Sequence, residues 1–181
     1  MSKRLADLLW LPLAATVFAP IAILAAAAIL LDDGRPLFFL QARLGKGRRL
    51  FRVIKFRTMQ GGRVTRVGHL LRRTGLDELP QFWNILRGEM TFVGPRPLTP
   101  EDVDRLGWND PRHDFRWRVH PGITGLAQVR AGAGARASLA WDRLYVRRRG
   151  TWLDTTLLAT TFVMNFAGKA WVKRTLLGSP Q

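Results

Sequence analysis

The sequence predicts a mixed α/β, helix-rich fold with a short β-hairpin behind an N-terminal membrane segment. Three observations carry that fold class. Leu8 to Leu31 contains no charged residue. Two short apolar runs, Leu37 to Leu40 and Leu50 to Phe56, flank Gly45-Lys46-Gly47-Arg48 as strands flank a turn. Later stretches, at 67–74, 77–87, 139–149 and 152–177, carry helical patterns or helix-start signals.

At about 1.5 Å per residue, a helix over Leu8–Leu31 is about 36 Å long, which exceeds the roughly 30 Å hydrocarbon core of a bilayer. The run shows almost no polar face, unlike a helix of a soluble core. Pro20 removes the bond to the Thr16 carbonyl and predicts a bend with Ala19-Pro20 at the break. Both flanks are basic, with Lys3 and Arg4 before and Arg35, Arg43, Lys46, Arg48 and Arg49 after, which favours the cytoplasmic side for both ends. A re-entrant bent helix and a kinked spanning helix both fit these residues. A cleaved signal sequence is a third reading, but its apolar region runs only about 7–15 residues.

The hairpin follows a turn at Asp32 to Pro36. Its second strand has apolar residues on both faces, Phe51 and Val53 against Ile54 and Phe56, and so is predicted to be covered on both. Gly61-Gly62 marks a loop. A basic amphipathic helix over Val67–Thr74 stops before Gly75, and Asp77 is predicted to N-cap a helix reaching about Arg87, with Gly88 as its stop. Val93 to Pro97 reads as a rigid extended loop, and Thr99-Pro100-Glu101-Asp102 as a helix start. Pro121 to Gly125 reads as a turn, Leu126 to Val129 as a strand, and Ala131 to Ala137 as flexible or tightly turned. No internal repeat interrupts this order.

The chain has 181 residues, with 29 Lys and Arg against 13 Asp and Glu, a formal net charge of +16. Such a charge calls for an anionic partner: nucleic acid, a phosphate-bearing substrate or an anionic membrane. The absence of cysteine excludes disulfides, thiolate zinc sites and a cysteine nucleophile. Three histidines, His69, His113 and His120, are poor material for a multi-histidine metal site.

Against this basic background, the adjacent carboxylates of Asp77-Glu78 stand out. As capping residues they suit the helix dipole. As chemistry, an ionised Asp77 at a helix start can attack phosphorus, and the same N–H groups can hold a phosphate. Arg72 and Arg73, about one turn earlier, are placed to neutralise phosphate charge. Two anions meet only where cations screen them, which calls for further Arg or a divalent metal. Arg96, fixed between Pro95 and Pro97, suits bidentate phosphate binding or is a solvated turn residue. Lys55 and Arg57 occupy alternate positions, hence one face of the second strand, either as an outer charged face or as a phosphate-facing edge. Gly132 to Ala137 fits a loose dinucleotide fingerprint, but the βαβ unit it requires is missing. Phe115-Arg116-Trp117-Arg118 suits stacking on bases or anchoring at a membrane interface, and the 152–177 helix reads as interfacial or core.

Taken in order, Lys3-Arg4-x-x-Asp7, Pro36 to Gly45, Lys55 to Met59, Arg72 to Leu86, Gly88-Glu89-Met90, Val93 to Leu98 and Pro121 to Val129 resemble the bacterial sugar transferase family, the monotopic phosphoglycosyl transferases. The resemblance extends from Lys3-Arg4 to about Asp154. It implies a re-entrant helix–break–helix at 1–33 and a catalytic domain with interfacial helices at 34–181, on the cytoplasmic face of the bacterial inner membrane. It implies transfer of a phosphosugar from a UDP-sugar to polyprenyl phosphate with Mg²⁺, through a covalent intermediate on Asp77. Glu78 carries over as the dyad partner, with Asp77 also beside the metal. Arg72 and Arg96 carry over as phosphate-binding positions. Lys55, Arg57 and Gln128 fall in matched stretches and are candidate substrate contacts.

Two departures stand out. Ala19-Pro20 replaces the family's usual Ser-Pro at the break, so satisfaction of the freed backbone groups falls to Thr16 or to neighbouring helices. Arg130-Ala131-Gly132 follows Ala127-Gln128-Val129 where the family often has Asn-Gly-Arg. Without the multi-span extension of some members, the chain reads as the minimal catalytic form. The expected partners are the UDP-sugar, the polyprenyl acceptor and membrane lipid, with no nucleic acid, and a homodimer is compatible with the sequence. The rival readings are a membrane-tethered nucleic-acid-binding or scaffold protein, which leaves Asp77-Glu78 and Arg96 without a role, and an inactive UDP-sugar-binding relative.

Overall fold

The computed structural model describes residues 3–130 and 134–167. They fall into two compact units, Met1–Gln41 with Arg52–Gly88, and Ala42–Phe51 with Glu89–Gln181. The N-terminal helix packs as part of the first unit.

That helix, α1, is Lys3–Asp32 and includes both Pro12 and Pro20. The predicted separation into two helices at Ala19-Pro20 is not seen. A proline forfeits one internal bond, but the turns on either side keep theirs, and the Ala-rich turns after it favour helix. The Thr16 hydroxyl donates to the Pro12 carbonyl (2.9 Å) and does not serve its own freed carbonyl. By length and composition, α1 is apolar and long enough to cross a membrane. Leu9, Leu13, Val17, Ile23, Leu24 and Leu31 are exposed along it. Its last turns are buried: Ala25 and Ile29 pack with Phe56 and Leu71 in a core that Leu37, Val67, Leu76 and Leu79 complete. Earlier along α1, Phe18 meets Phe82 edge-on at 6.1 Å, and Arg4 donates to the carbonyls of Ile85 and of Leu86 (2.7 Å).

Strands β1 (Phe38–Leu44) and β2 (Leu50–Phe56) pair, closed by Gly45 N–H to the Arg49 carbonyl at 2.8 Å. β1 runs past its predicted end because Gln41 to Leu44 continues the strand up to Gly45. β2 is covered on both faces at its C-terminal half, where Val53 and Phe56 are buried, while Leu50 is exposed. The short strands β3 (Met59–Gln60) and β4 (Arg63–Val64) pair antiparallel around Gly61-Gly62.

Helix α2 (Arg66–Thr74) is capped by Thr65, which accepts from Gly68 N–H at 3.0 Å. Gly68 lies against the Thr58 backbone, and any Cβ there would overlap the Thr58 carbonyl. The helix ends at Gly75, whose left-handed φ of 74° turns the chain into a 3₁₀ segment, Leu76–Gln81, and then α3, Phe82–Arg87. Asp77 therefore does not N-cap a continuous helix. It lies inside the first turn of the 3₁₀ segment, where Gly75 holds the cap position without a side chain to offer.

In the second unit, β5 (Thr91–Val93) runs parallel to β6 (Gly122–Thr124), with Thr91 opposite Gly122 and Val93 opposite Thr124. Residues 122–124 are thus strand where the sequence predicts a turn, and Leu126–Arg130 is a helix, α5, where it predicts a strand. Tertiary pairing decides this: Gly122 lets its backbone approach Val93 and Gly94 so closely that a Cβ would overlap them. Between the two strands, α4 (Pro100–Arg105) is capped by Thr99, and a 3₁₀ segment covers Pro111–Arg118. Val103, Trp108 and Trp117 form the core there, with Leu44, Leu98, Leu106 and Leu139 around them. Two further helices follow, α6 (Gly134–Arg148) and α7 (Thr151–Ala167). α6 absorbs part of the Gly/Ala stretch predicted as a turn. Residues 131–133 of that stretch lie outside the described residues, as does the predicted continuation to Leu177 with Lys169, Lys173 and Arg174.

Candidate active site

Asp77 sits on the 3₁₀ turn, partly shielded from water. Its carboxyl is pushed above its ordinary value of 3.8, first by burial and next by the adjacent Glu78 carboxylate. Lys55, the turn's own backbone and Arg72 pull the other way without cancelling it. The expectation that the helix start favours the charged form is corrected in its net direction, because desolvation outweighs the dipole of one short turn. A carboxylate stripped of part of its hydration is a stronger nucleophile toward an electrophile that reaches it.

The cations around it differ in what they are free to do. Lys55 Nζ pairs with Glu78 Oε1 at 2.5 Å, with both side chains mostly buried, so Lys55 orients the acid next to Asp77. Arg72 donates through Nε to the Thr58 hydroxyl at 2.8 Å, which leaves both Nη groups of this exposed residue available. Arg57 is different. It lies one residue past the end of β2, not on the Lys55 face of the strand, and is 8% exposed. Its Nε donates to the Pro36 carbonyl (2.6 Å) and its Nη2 to those of Asp33 (3.0 Å) and Gly34 (2.8 Å). Arg57 clamps the turn after α1.

The second unit holds Arg96 and Gln128. Arg96 is exposed, and its guanidinium has no hydrogen-bond or ion-pair partner among the described residues. Gln128 lies on α5, and both ends of its amide are buried without a partner among the described residues. A buried amide unmatched at both ends calls for a partner beyond the described residues.

Sequence reasoning missed Asn84, Arg116, Asp142 and Tyr145. Asn84 is fully buried and bridges β2, donating to the Arg52 carbonyl (2.8 Å) and accepting from Ile54 N–H (3.1 Å). It thereby ties α3 to the strand that carries Lys55. Arg116 Nε pairs with Asp142 Oδ2 at 2.7 Å, each side chain 3% exposed. Asp142 and Tyr145, one turn apart on α6, share its buried face, and an acid on that face was the available signal. The basic-aromatic stretch around Trp117 is neither a base-stacking surface nor an interface anchor: Arg116 and Trp117 are buried in the core.

Among the described residues, no group of three or more His, Cys, Asp or Glu side chains is placed to hold a metal. The hard carboxylate oxygens of Asp77 and Glu78 instead fit the Mg²⁺ habit of taking one or two carboxylates and completing its shell from substrate phosphates and water.

Residues 1–168 match the model of the bacterial sugar transferase family, and the chain belongs to that family. It is 39% identical over 178 residues to a UDP-N-acetylgalactosamine-undecaprenyl-phosphate N-acetylgalactosaminephosphotransferase of Aeromonas hydrophila, covering 88% of this chain and 42% of that protein. It is 38% identical over 182 residues to a UDP-glucose:undecaprenyl-phosphate glucose-1-phosphate transferase of Caulobacter vibrioides, covering 89% and 68%. It is 32% identical over 192 residues to an exopolysaccharide production protein of Rhizobium meliloti, covering 89% and 84%. The chain thus spans less than half of the Aeromonas protein and most of the other two.

Proposed function

We propose that this protein is a phosphoglycosyl transferase that moves a sugar phosphate from a UDP-sugar to polyprenyl phosphate. The observation that carries this reading is Asp77, a partly desolvated carboxylate on a turn flanked by Glu78, Lys55 and Arg72, in a chain of this family. An Asp77 oxygen attacks the β-phosphorus of the donor, the bond to the bridging oxygen breaks, and UMP leaves. A phosphate oxygen of the lipid then attacks the same phosphorus, the aspartyl bond breaks, and polyprenyl-diphospho-sugar forms. Glu78, held by Lys55, is the group beside the reaction placed to handle a proton. On the first unit Arg72 holds phosphate oxygens beside Asp77, and Arg57 acts only through the backbone it clamps; on the second unit Arg96 keeps the phosphate-binding role that the resemblance implies, and the unmatched Gln128 amide is a candidate substrate contact. Asp77 and Glu78 are the residues that would hold a Mg²⁺ ion, which would supply charge neutralisation.

We further infer that α1, bent at Pro20 without ending there, enters and leaves one leaflet on the cytoplasmic side of the inner membrane. Arg4 near one end and Ala25 and Ile29 near the other pack on the same unit, which a helix with ends on opposite sides of a bilayer does not readily allow. Exposed Leu70, Trp83 and Leu86 on that unit, with Arg87 stacked on Trp83 at 5.3 Å, add the residues that favour a membrane interface.

The direct test is UMP release by detergent-purified protein given undecaprenyl phosphate, Mg²⁺ and a panel of UDP-sugars. Release with one donor, lost in Asp77→Asn, is expected; turnover by that variant would sink the covalent route. Because the chain lacks cysteine, Ser2→Cys and Arg35→Cys variants report topology. Labelling of both from the same side of sealed vesicles is expected, and labelling from opposite sides would make α1 a spanning helix.

A further inference from the structure

The segment Val93–Leu98 is held by its carbonyls. The Val93 carbonyl accepts from Tyr145 O–H at 2.7 Å, and that of Pro95 from Gly122 N–H at 3.0 Å. Arg116 Nη2 donates to the Arg96 carbonyl at 2.5 Å, Arg43 Nη1 to that of Pro97 at 3.1 Å, and Leu44 N–H to that of Leu98 at 2.8 Å. Donors from β1, β6, the 111–118 segment and α6 converge on one stretch of main chain, and the side chain at its centre, Arg96, is exposed with no partner among the described residues.

Arg116 is the donor that grips the Arg96 peptide itself. It is 4% exposed, its guanidinium lies over the rings of Trp108 (5.2 Å) and Trp117 (5.3 Å), and Asp142 fixes its Nε edge at 2.7 Å. A buried Arg–Asp pair adds little net stability over apolar residues of the same volume. What an apolar replacement cannot supply is a rigid N–H aimed at the Arg96 carbonyl. A guanidinium does this in a plane, with one edge on the carboxylate and another on the carbonyl, whereas an ammonium is a point donor that cannot hold both directions at once.

We infer that Arg116, oriented by Asp142 and the two tryptophans, is a positioning residue that fixes the backbone of Arg96 and so aims its guanidinium at the diphosphate of a nucleoside-diphosphate donor. This rests on the reading of Arg96 as a phosphate-binding residue. Arg116 touches no substrate; its effect passes through Arg96.

A double-mutant cycle on UDP affinity and on UMP release tests it. Arg116→Lys is expected to weaken UDP binding about tenfold and to lower UMP release about 10- to 100-fold, the scale of a displaced contact group. In an Arg96→Ala background the same change is expected to add less than about twofold, because the aimed group is gone. Equal losses in both backgrounds would reduce Arg116 to a general stabiliser, and wild-type UDP affinity in Arg116→Lys would overturn the inference outright. If Arg116→Lys fails to fold, Asp142→Asn, which keeps the volume but removes the charge that holds the Arg116 Nε edge, runs the same cycle with the same expected coupling and the same overturning result. Coupled UDP binding without UMP release from any donor would leave the positioning role standing and remove the proposed reaction.

Discussion

The turn that carries Asp77 and the loop that carries Arg96 place a charged group in opposite ways. At Asp77 the backbone is a single 3₁₀ turn, and the state of the carboxyl is set by side chains: burial and Glu78 raise it, while Lys55 and Arg72 restrain it. At Arg96 the guanidinium has no hydrogen-bond or ion-pair partner among the described residues, and the backbone beneath it is clamped by successive carbonyl bonds. In the proposed reaction the first arrangement would tune a group that changes its bonding, and the second would fix the direction of a group whose charge never changes. A nucleophile needs an adjustable electrostatic surrounding, and a phosphate clamp needs a rigid stalk.

Removing the tuned group should have the largest effect. Asp77→Asn is expected to reduce UMP release to background, roughly 10⁴-fold or more. Because the folded-state carboxyl lies above its ordinary value of 3.8, the wild-type fold loses stability as pH rises through that raised value. The amide does not ionise, so the variant should be at least as stable as wild type at neutral pH. That advantage should vanish below the ordinary carboxyl range, and thermal melts across pH check the sign. Lower neutral-pH stability of the variant would mean that the carboxylate is a structural anchor.

Next comes the support beneath the tuned side. Gly68→Ala puts a methyl group into the Thr58 carbonyl and is expected to cost about 1–3 kcal/mol in denaturant unfolding, the range for overpacking. Activity should fall further than stability, since α2 carries Arg72. An unchanged unfolding midpoint would show that α2 shifts at no cost.

A subtler change sharpens the comparison. Lys55→Met removes a cation that lowers the Asp77 carboxyl and frees Glu78, so the acidic limb of the UMP-release profile should move to higher pH. Glu78→Gln removes a like charge and should move that limb to lower pH in whatever activity remains. Limbs that move together, or not at all, would separate Asp77 from the titration. The smallest effect belongs to Arg4→Ala, which uncaps the carbonyl end of α3 and should cost about 0.3–1 kcal/mol of unfolding free energy.

Much of this was legible in the chain because it depends on local chemistry. The charge-free run announces α1. Leu50–Phe56 is a strand with its predicted bounds, and Gly75, Thr99 and Gly88 punctuate helices as capping rules require. The Asp77-Glu78 pair stood out because acids are scarce in so basic a sequence. What misled was whatever depends on a distant partner. Gly122–Thr124 became a strand only because Thr91–Val93 lies beside it. Arg57 looked like a phosphate ligand until its carbonyl partners at 33–36 came into view. The Arg-Trp stretch at 115–118 looked like a surface until Asp142 neutralised its arginine inside a core.

The sequence by itself determined the membrane-length helix, the hairpin strands and the family, and singled out Asp77 and Arg96 as candidates, since periodicity, turn chemistry and residue order are local properties. Only the tertiary structure decided which cations stay free, that the Asp77 carboxyl rises and does not fall, and that Arg96 stands on a clamped backbone. Burial and partner geometry set the energy of a charge, and both arise from residues far apart in the chain.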